Sequence, residues 1–160
     1  MDTISTQDIV LQFAARSEAC ALAAMSRDLI EVGLGWRYQP QSVRNLIDDA
    51  ETVTLVARSG DALAGFGVMQ FGDERAHLML LAVQPACQRR GIARRIVRWL
   101  IDSAATAGIA SIHVELRVRN TSAYAFYCAQ GFAETLRIPG YYAGHETAIR
   151  MLRMLRHVPG

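Results

Sequence analysis

Lysine is missing from this chain: all 17 basic residues among its 160 are arginine. A phosphate loop of the form Gly-x-x-x-x-Gly-Lys-[Ser/Thr] therefore cannot exist here. Cysteine is scarce as well. Cys20, Cys87 and Cys128 stand apart, with no Cys-x-x-Cys or Cys/His ligand spacing, which argues against a disulfide framework or a structural metal site. No apolar run, Leu78 to Val83 included, approaches the roughly 18 residues that span a bilayer. The opening residues Met1-Asp2-Thr3-Ile4-Ser5 lack a basic segment followed by an apolar run, so neither a membrane partner nor secretion is expected, and a cytoplasmic location is. No internal repeat, low-complexity tract or Pro/Ser-rich linker breaks the chain, and residues 1–160 read as one domain. A net charge of +2 is too small to argue for nucleic acid from bulk electrostatics.

What is present suits a packed core: hydrophobic residues make up 51% of the chain and charged residues 20%. Ile9 to Phe13 reads as a strand. Ser17 is placed to cap a helix running to Val32, stopped by Gly33. A loop to Pro40 and a short helix over Gln41 to Asp49 follow. Thr52 to Arg58, Ala62 to Phe71 and Arg75 to Val83 form an antiparallel meander with turns at Ser59-Gly60-Asp61 and Gly72-Asp73. Past Pro85 the apolar period changes from two to 3.6: Ile92, Ile96, Val97, Leu100, Ile101 and Ala104 define an amphipathic helix over Gly91 to Ala107. Ile112 to Val118 alternates as a strand, Thr121 to Gln130 is a short helix, and Phe132 to Ile138 and Glu146 to Leu155 are strands separated by a Pro-Gly-Tyr-Tyr loop. Strand, helix and strand over Arg75 to Val118 make a crossover between parallel neighbours, so the class is α/β.

Five arginines, Arg89, Arg90, Arg94, Arg95 and Arg98, fall within ten residues. The segment Gln88-Arg89-Arg90-Gly91-Ile92-Ala93 links a strand to a helix N-terminus, where unpaired backbone N–H groups and the positive dipole end favour an anion. Arg94 and Arg95 oppose that dipole unless a polyanion binds there. On charge alone these arginines could equally form a solvated face with their stems over apolar surface. Gly-x-Gly-x-x-Gly is absent from the loop, which removes support for a Rossmann dinucleotide site.

Leu81-Ala82-Val83-Gln84-Pro85 followed by Gln88-Arg89-Arg90-Gly91-Ile92-Ala93 resembles the acyl-coenzyme A signature Gln/Arg-x-x-Gly-x-Gly/Ala of the GNAT N-acetyltransferase superfamily. A second segment, Glu115-Leu116-Arg117-Val118-Arg119-Asn120 with Ala123, Phe126-Tyr127 and Gly131-Phe132 behind it, is similar to the family's strand that ends at Asn before a Tyr-bearing helix. Together with Tyr141-Tyr142 and Gly144-His145-Glu146, these stretches look most like ribosomal-protein-alanine N-acetyltransferases. Thr147 departs from the pattern, standing where an acidic residue is common.

The resemblance implies a GNAT fold, a mixed sheet of about six to seven strands with about four helices. It implies acetyl-coenzyme A as cosubstrate, bound by Leu81, Ala82, Val83, Gln88, Arg89, Arg90, Gly91, Ile92, Ala93, Arg94 and Asn120, and no metal. It makes Glu115 the general base, acting through water, and Tyr127 the proton donor to the leaving thiolate. Without it, Glu115 would be a surface residue pairing with Arg117, Asn120 a helix cap, and Phe126-Tyr127 core aromatics. His113 shares the face of Glu115 and Arg117 and is a second candidate base, with His77 ranked lower. No base is evident beside Cys87 or Cys128, which read as buried or half-buried structural thiols rather than nucleophiles. The acceptor reads first as a protein or peptide N-terminal amine, and as an alternative a polyamine, amino acid or aminoglycoside. A non-catalytic coenzyme A binding protein and an RNA-binding role for the arginine cluster are the competing classes. Monomer and homodimer both stay open.

Overall fold

The computed structural model describes residues 8–156, and the opening stretch read above for a leader lies outside that range. Its elements run β1 (Ile9–Phe13), α1 (Ala19–Met25), α2 (Pro40–Asp48), β2 (Thr52–Ser59), β3 (Ala62–Phe71), β4 (Arg75–Val83), α3 (Ile92–Thr106), β5 (Ser111–Arg117), α4 (Thr121–Ala129), β6 (Ala133–Tyr142) and β7 (Glu146–Met154). All seven strands form one sheet in the order β1-β2-β3-β4-β5-β7-β6. Only β4 and β5 pair in parallel, as a crossover through α3 requires, and the other neighbours are antiparallel. The expected α/β class, with a mixed sheet and four helices, is what forms. No helix among the described residues is long and apolar enough to cross a membrane.

The sheet is covered on both faces. The stripe Ile92, Ile96, Val97, Leu100, Ile101 and Ala104 of α3 packs with Ile112, Val114 and Leu116 of β5 and Ile149 and Met151 of β7. On the other face Leu22, Ala23 and Val43 from α1 and α2 pack with Phe66, Val68, Leu80 and Ala82. Each large side chain so buried contributes about 1.5–3 kcal/mol of transfer free energy. The strand β4 is not regular along its length. Val68 is opposite Leu80 but Met69 is opposite Leu78, so Met79 is an extra, bulged residue. Strict alternation would put residues 76, 78, 80 and 82 on one face. Instead Ala76 and Leu78 join the α3 core while Leu80 and Ala82 join the α1/α2 core.

Three local expectations fail. Ser17 caps nothing: it lies inside a 3₁₀ turn over Arg16–Glu18, and the Glu18 carboxylate accepts from the Ala15 N–H at 2.8 Å instead. The first helix does not reach Val32. It widens into a π-turn over Ser26–Ile30 and stops, because Glu31 turns its carboxylate inward. The Pro-Gly-Tyr-Tyr segment is the end of β6 rather than a loop; Pro139 is tolerated because β6 is an edge strand with a register shift between Ile138 and Tyr142.

β3 meets α3 at Gly67. A Cβ there would lie 2.7 Å from Ile96 Cγ2 and 3.2 Å from Leu100 Cδ1. Gly67→Ala is accordingly expected to destabilise by about 1–3 kcal/mol through overpacking, against the roughly 0.5–1 kcal/mol that alanine normally gains over glycine inside a strand. Urea denaturation with an unchanged m-value checks the sign.

Candidate active site

The parallel ladder between β4 and β5 covers only Arg75 to Leu78 against Ser111 to Val114. Beyond the bulge the two strands separate, and a gap opens between Leu81–Val83 and Glu115–Arg117. Gln84 N donates to Ala64 O at 2.8 Å, so Gln84 and, by alternation, Ala82 direct their backbone groups to β3. Leu81 and Val83 therefore turn theirs toward the gap, where β5 supplies no partner. Of the three β4 residues expected to meet a ligand, Ala82 is thus committed to the sheet. The Val83 carbonyl accepts from Gln88 Nε2 at 3.2 Å, so the Gln88 side chain braces its own loop rather than facing outward.

That loop leaves β4 through a 3₁₀ turn over Pro85–Cys87 and enters α3 at Gly91. Arg89 and Gly91 both adopt left-handed backbone, at φ 63° and 76°. Gly91 is the helix N-cap, makes no side-chain capping bond, and would point a Cβ into open space. The first-turn amides of α3 accordingly lack intrahelical acceptors and lie next to a free volume, a cradle for an anion. Arg94 is exposed near this end. Arg95 is not available in the same way: its guanidinium donates to the Ile9 carbonyl at 3.0 Å and ties α3 to β1.

Across the gap, Glu115 is paired not with Arg117 but with Arg150, its register partner on β7; Arg150 Nε and Nη2 lie 3.2 and 3.0 Å from Oε1. Tyr141 Oη donates to Oε2 at 2.6 Å. Burial pushes the Glu115 carboxyl up, but the bonds from Tyr141 and Arg150, with the fields of His77 and Arg150, outweigh it and hold the group below the usual carboxylate range. Glu115 is an anion at neutral pH. Arg117 faces Glu146 at 3.6 Å and lies over the Tyr142 ring at 5.8 Å. The Tyr142 phenol, half-buried and close to Glu115, is pushed up to about 12, chiefly by its burial.

Tyr127 stands on α4 with its ring edge-on to Phe126 and Phe132, at centroid distances of 5.3 and 5.4 Å. Burial, with Tyr142 nearby, raises its phenol far above the ordinary value, so it keeps its proton at every physiological pH. The other tyrosine of this helix, Tyr124, donates to Glu134 at 2.8 Å. Asn120 does cap α4, its Oδ1 accepting from Ala123 N at 3.1 Å, which leaves its amide NH₂ for other contacts. Cys87 is buried, whereas Cys128 is exposed, against expectation, because it falls on the outer side of α4.

The mouth of the site has a part that sequence reasoning missed. Glu31 is 7% exposed and accepts from Ser26 Oγ at 2.8 Å, Arg37 N at 2.7 Å and Tyr38 N at 3.3 Å. These bonds fold the segment between α1 and α2 over the sheet, with Trp36 Nε1 donating to Ala23 O at 3.2 Å. Tyr38 thereby comes near Glu115, whose charge adds to the rise that burial gives its phenol, and Arg37 comes near Tyr141, whose phenol the bond to Glu115 raises and the Arg37 cation lowers. No signal in the residue order marks Glu31, because the π-turn that precedes it shows only in the structure.

Residues 23–132 match the acetyltransferase (GNAT) family, and the chain belongs to that family. The ribosomal protein bS18-alanine N-acetyltransferase of Salmonella typhimurium is 36% identical over 102 residues, 62% of this chain and 69% of that protein. The crystal structure of the ribosomal-protein-S18-alanine N-acetyltransferase from Escherichia coli superposes with a TM-score of 0.78 at 24% identity, covering 94% of this chain and 96% of the other. Arabidopsis thaliana NAA60 in complex with acetyl-CoA superposes at 0.81 with 16% identity, covering 91% and 98%. At these identities the two structures establish the fold.

Two outcomes test the geometry. Gly91→Val places a side chain in the open side of the cradle and strains the left-handed backbone; acetyl-coenzyme A affinity measured by calorimetry should fall about tenfold or more, the loss of roughly 1.4 kcal/mol of amide contacts. Glu31→Ala orphans the Ser26, Arg37 and Tyr38 donors and should cost about 1–3 kcal/mol of stability. It should also raise the acceptor KM while calorimetric cosubstrate affinity is retained.

Proposed function

We propose that this chain is an acetyl-coenzyme A dependent N-acetyltransferase, a single domain working in the cytoplasm, that passes acetyl directly to a primary amine. The acceptor is a protein or peptide N-terminus. The observation that carries the reading is the β4–β5 gap, with an amide cradle for a pyrophosphate at one end and an ionised carboxylate under an aromatic mouth at the other. The substrate class is supported by the bS18-alanine acetyltransferase relative.

In this reading the first-turn amides Gly91, Ile92, Ala93 and Arg94 hold the pyrophosphate, with Arg89 and Arg90 beside it. The outward amide and carbonyl of Leu81 and the amide of Val83 extend along the pantetheine arm as an added strand would, and the Asn120 amide meets the arm from the other side. Glu115 attracts the acceptor ammonium and takes its proton through water, while Arg150 and Tyr141 fix the carboxylate. Tyr127, protonated and not committed to Glu134 as Tyr124 is, supplies a proton to the leaving thiolate. No covalent enzyme intermediate is needed, and neither Cys87 nor Cys128 has a role.

An ionised, weakly basic Glu115 suits an N-terminal amine, whose pKa is about 7.7–8.0, better than a lysine side chain at about 10.4. Peptides with free N-termini are expected to outcompete the same peptides with blocked N-termini and a free lysine. Mass spectrometry of products from a panel that includes a polyamine and an aminoglycoside decides this, and exclusive acetylation of lysine or of a small amine would overturn it. Tyr127→Phe should lower kcat by about 10²–10⁴-fold with little change in cosubstrate affinity.

A further inference from the structure

The two edges of the sheet are built differently. β6 carries Glu134, Arg137 and Pro139, and its pairing with β7 shifts register between Glu134 and Leu136 and again between Ile138 and Tyr142. Charges, proline and irregular pairing are the devices that keep a strand edge from joining another chain. β1 has none of them: Ile9-Val10-Leu11-Gln12-Phe13 is free of charge, proline and glycine and pairs with β2 without a shift. Val10 at 58% and Phe13 at 66% are also the two most exposed large apolar side chains among the described residues, and they stand on opposite faces of this one short strand.

The backbone of β1 fixes how that edge can be met. Ala14 N donates to Thr54 O at 2.9 Å, so by alternation Val10 and Gln12 direct their amides and carbonyls to β2, while Ile9, Leu11 and Phe13 direct theirs outward. The Ile9 carbonyl is taken, accepting from Arg95 Nη1 at 3.0 Å. The sheet gives Leu11 and Phe13 no partner. Two copies of β1 running antiparallel satisfy both residues at once: Leu11 exchanges its amide and carbonyl with those of the partner's Phe13, and Gln12 meets the partner's Gln12 on the twofold axis. An axis at Leu11 would instead call on the Ile9 carbonyl, which Arg95 already holds.

Side chains fit the same register. Phe13 lies edge-on to Trp99 of α3 at a centroid distance of 5.6 Å, and pairing sets the partner's Leu11 beside it, so the apolar surface under α3 runs on across the axis. Asp8 precedes the strand and Arg16 follows it; Arg16 is held by Asp48 at 2.9 Å yet keeps 66% of its side chain exposed. An axis at Gln12 brings an acid opposite a base at both ends. We propose that this chain forms a homodimer through β1, two copies joining their edges antiparallel about Gln12 into one continuous sheet. The β4–β5 gap lies beyond β2 and β3, so both sites stay open in the pair, and the dimer stands or falls independently of the acetyl transfer proposed above.

The contact is small, and a dissociation constant of about 1–100 μM is expected for an interface at the low end of the specific range. Sedimentation velocity of the full chain over a concentration series tests it. Wild type should pass from monomer to dimer across that range, and Phe13→Lys should stay monomeric with an unchanged melting temperature; should that variant not fold, Val10→Lys carries the same readout. The register is read separately, in a background of Cys20→Ser and Cys128→Ser that removes the exposed native thiols. Gln12→Cys then places two thiols on the axis, at a Cα separation of about 4.5 Å that a disulfide spans. The two copies of Val10→Cys lie about 13 Å apart along the strands. Mild oxidation should link Gln12→Cys into a covalent dimer roughly tenfold faster than Val10→Cys, or more. A wild-type chain still monomeric at about 500 μM would overturn the pairing and leave the edge to a strand of some other protein. A dimer that persists in Phe13→Lys, or equal linkage of the two cysteine variants, would overturn it as well.

Discussion

Four residue pairs join β4 to β5, and the site depends on that ladder ending where it does. The bulge at Met79 bends β4 and exchanges the faces of its side chains, so Leu80 and Ala82 can fill the α1/α2 core while Ala76 and Leu78 fill the other. Had the two strands stayed paired, the outward backbone groups of Leu81 and Val83 would be spent on β5. Separation leaves them unsatisfied by the sheet, a cost that a fold bears only where another partner or solvent meets the need. The same divergence sets Glu115 on the lip of an opening rather than in the middle of a sheet.

Electrostatics divide the molecule into two ends. At the start of α3 the backbone itself is the positive group, and the surrounding arginines are not interchangeable: Arg95 is anchored to the Ile9 carbonyl while Arg94 stays exposed. At the other end a carboxylate is kept charged by a tyrosine and an arginine drawn from β6 and β7. The first end suits a polyanion and the second a cation, which is the polarity a reaction between a nucleotide thioester and an ammonium requires.

Much of this architecture is legible in the order of the residues. The limits of β3 and β4 coincide with the turn-bounded apolar runs Ala62 to Phe71 and Arg75 to Val83, because each strand is buried on at least one face and turns at glycine. The 3.6-residue stripe of α3 is equally readable, since all six of its apolar positions are buried. Cross-strand register is not. Glu115 and Arg117 share a face two residues apart, so a local reading pairs them, but Arg150 lies directly opposite on a strand 35 positions away. Glu31 is invisible for a different reason. A lone acid between a helix and a glycine reads as solvated, and only the three donors that converge on it reveal a strut. Ser17 shows the converse, a residue with the right chemistry for a cap displaced by its neighbour Glu18.

The short ladder has a mechanical side. Past Leu78 and Val114 the two arms run free of each other, for roughly 15 Å in β4 and about 10 Å in β5 at about 3.3 Å per residue, so a rotation of about 4° at the fork displaces the β4 tip by about 1 Å. Reaction rates respond steeply to errors of that size in the placement of reacting atoms. The fork is thus a lever whose fulcrum is packed hydrocarbon: Leu78 and Val114, wedged beneath α3, set the aperture at the reacting carbon from a distance at which they touch nothing that reacts.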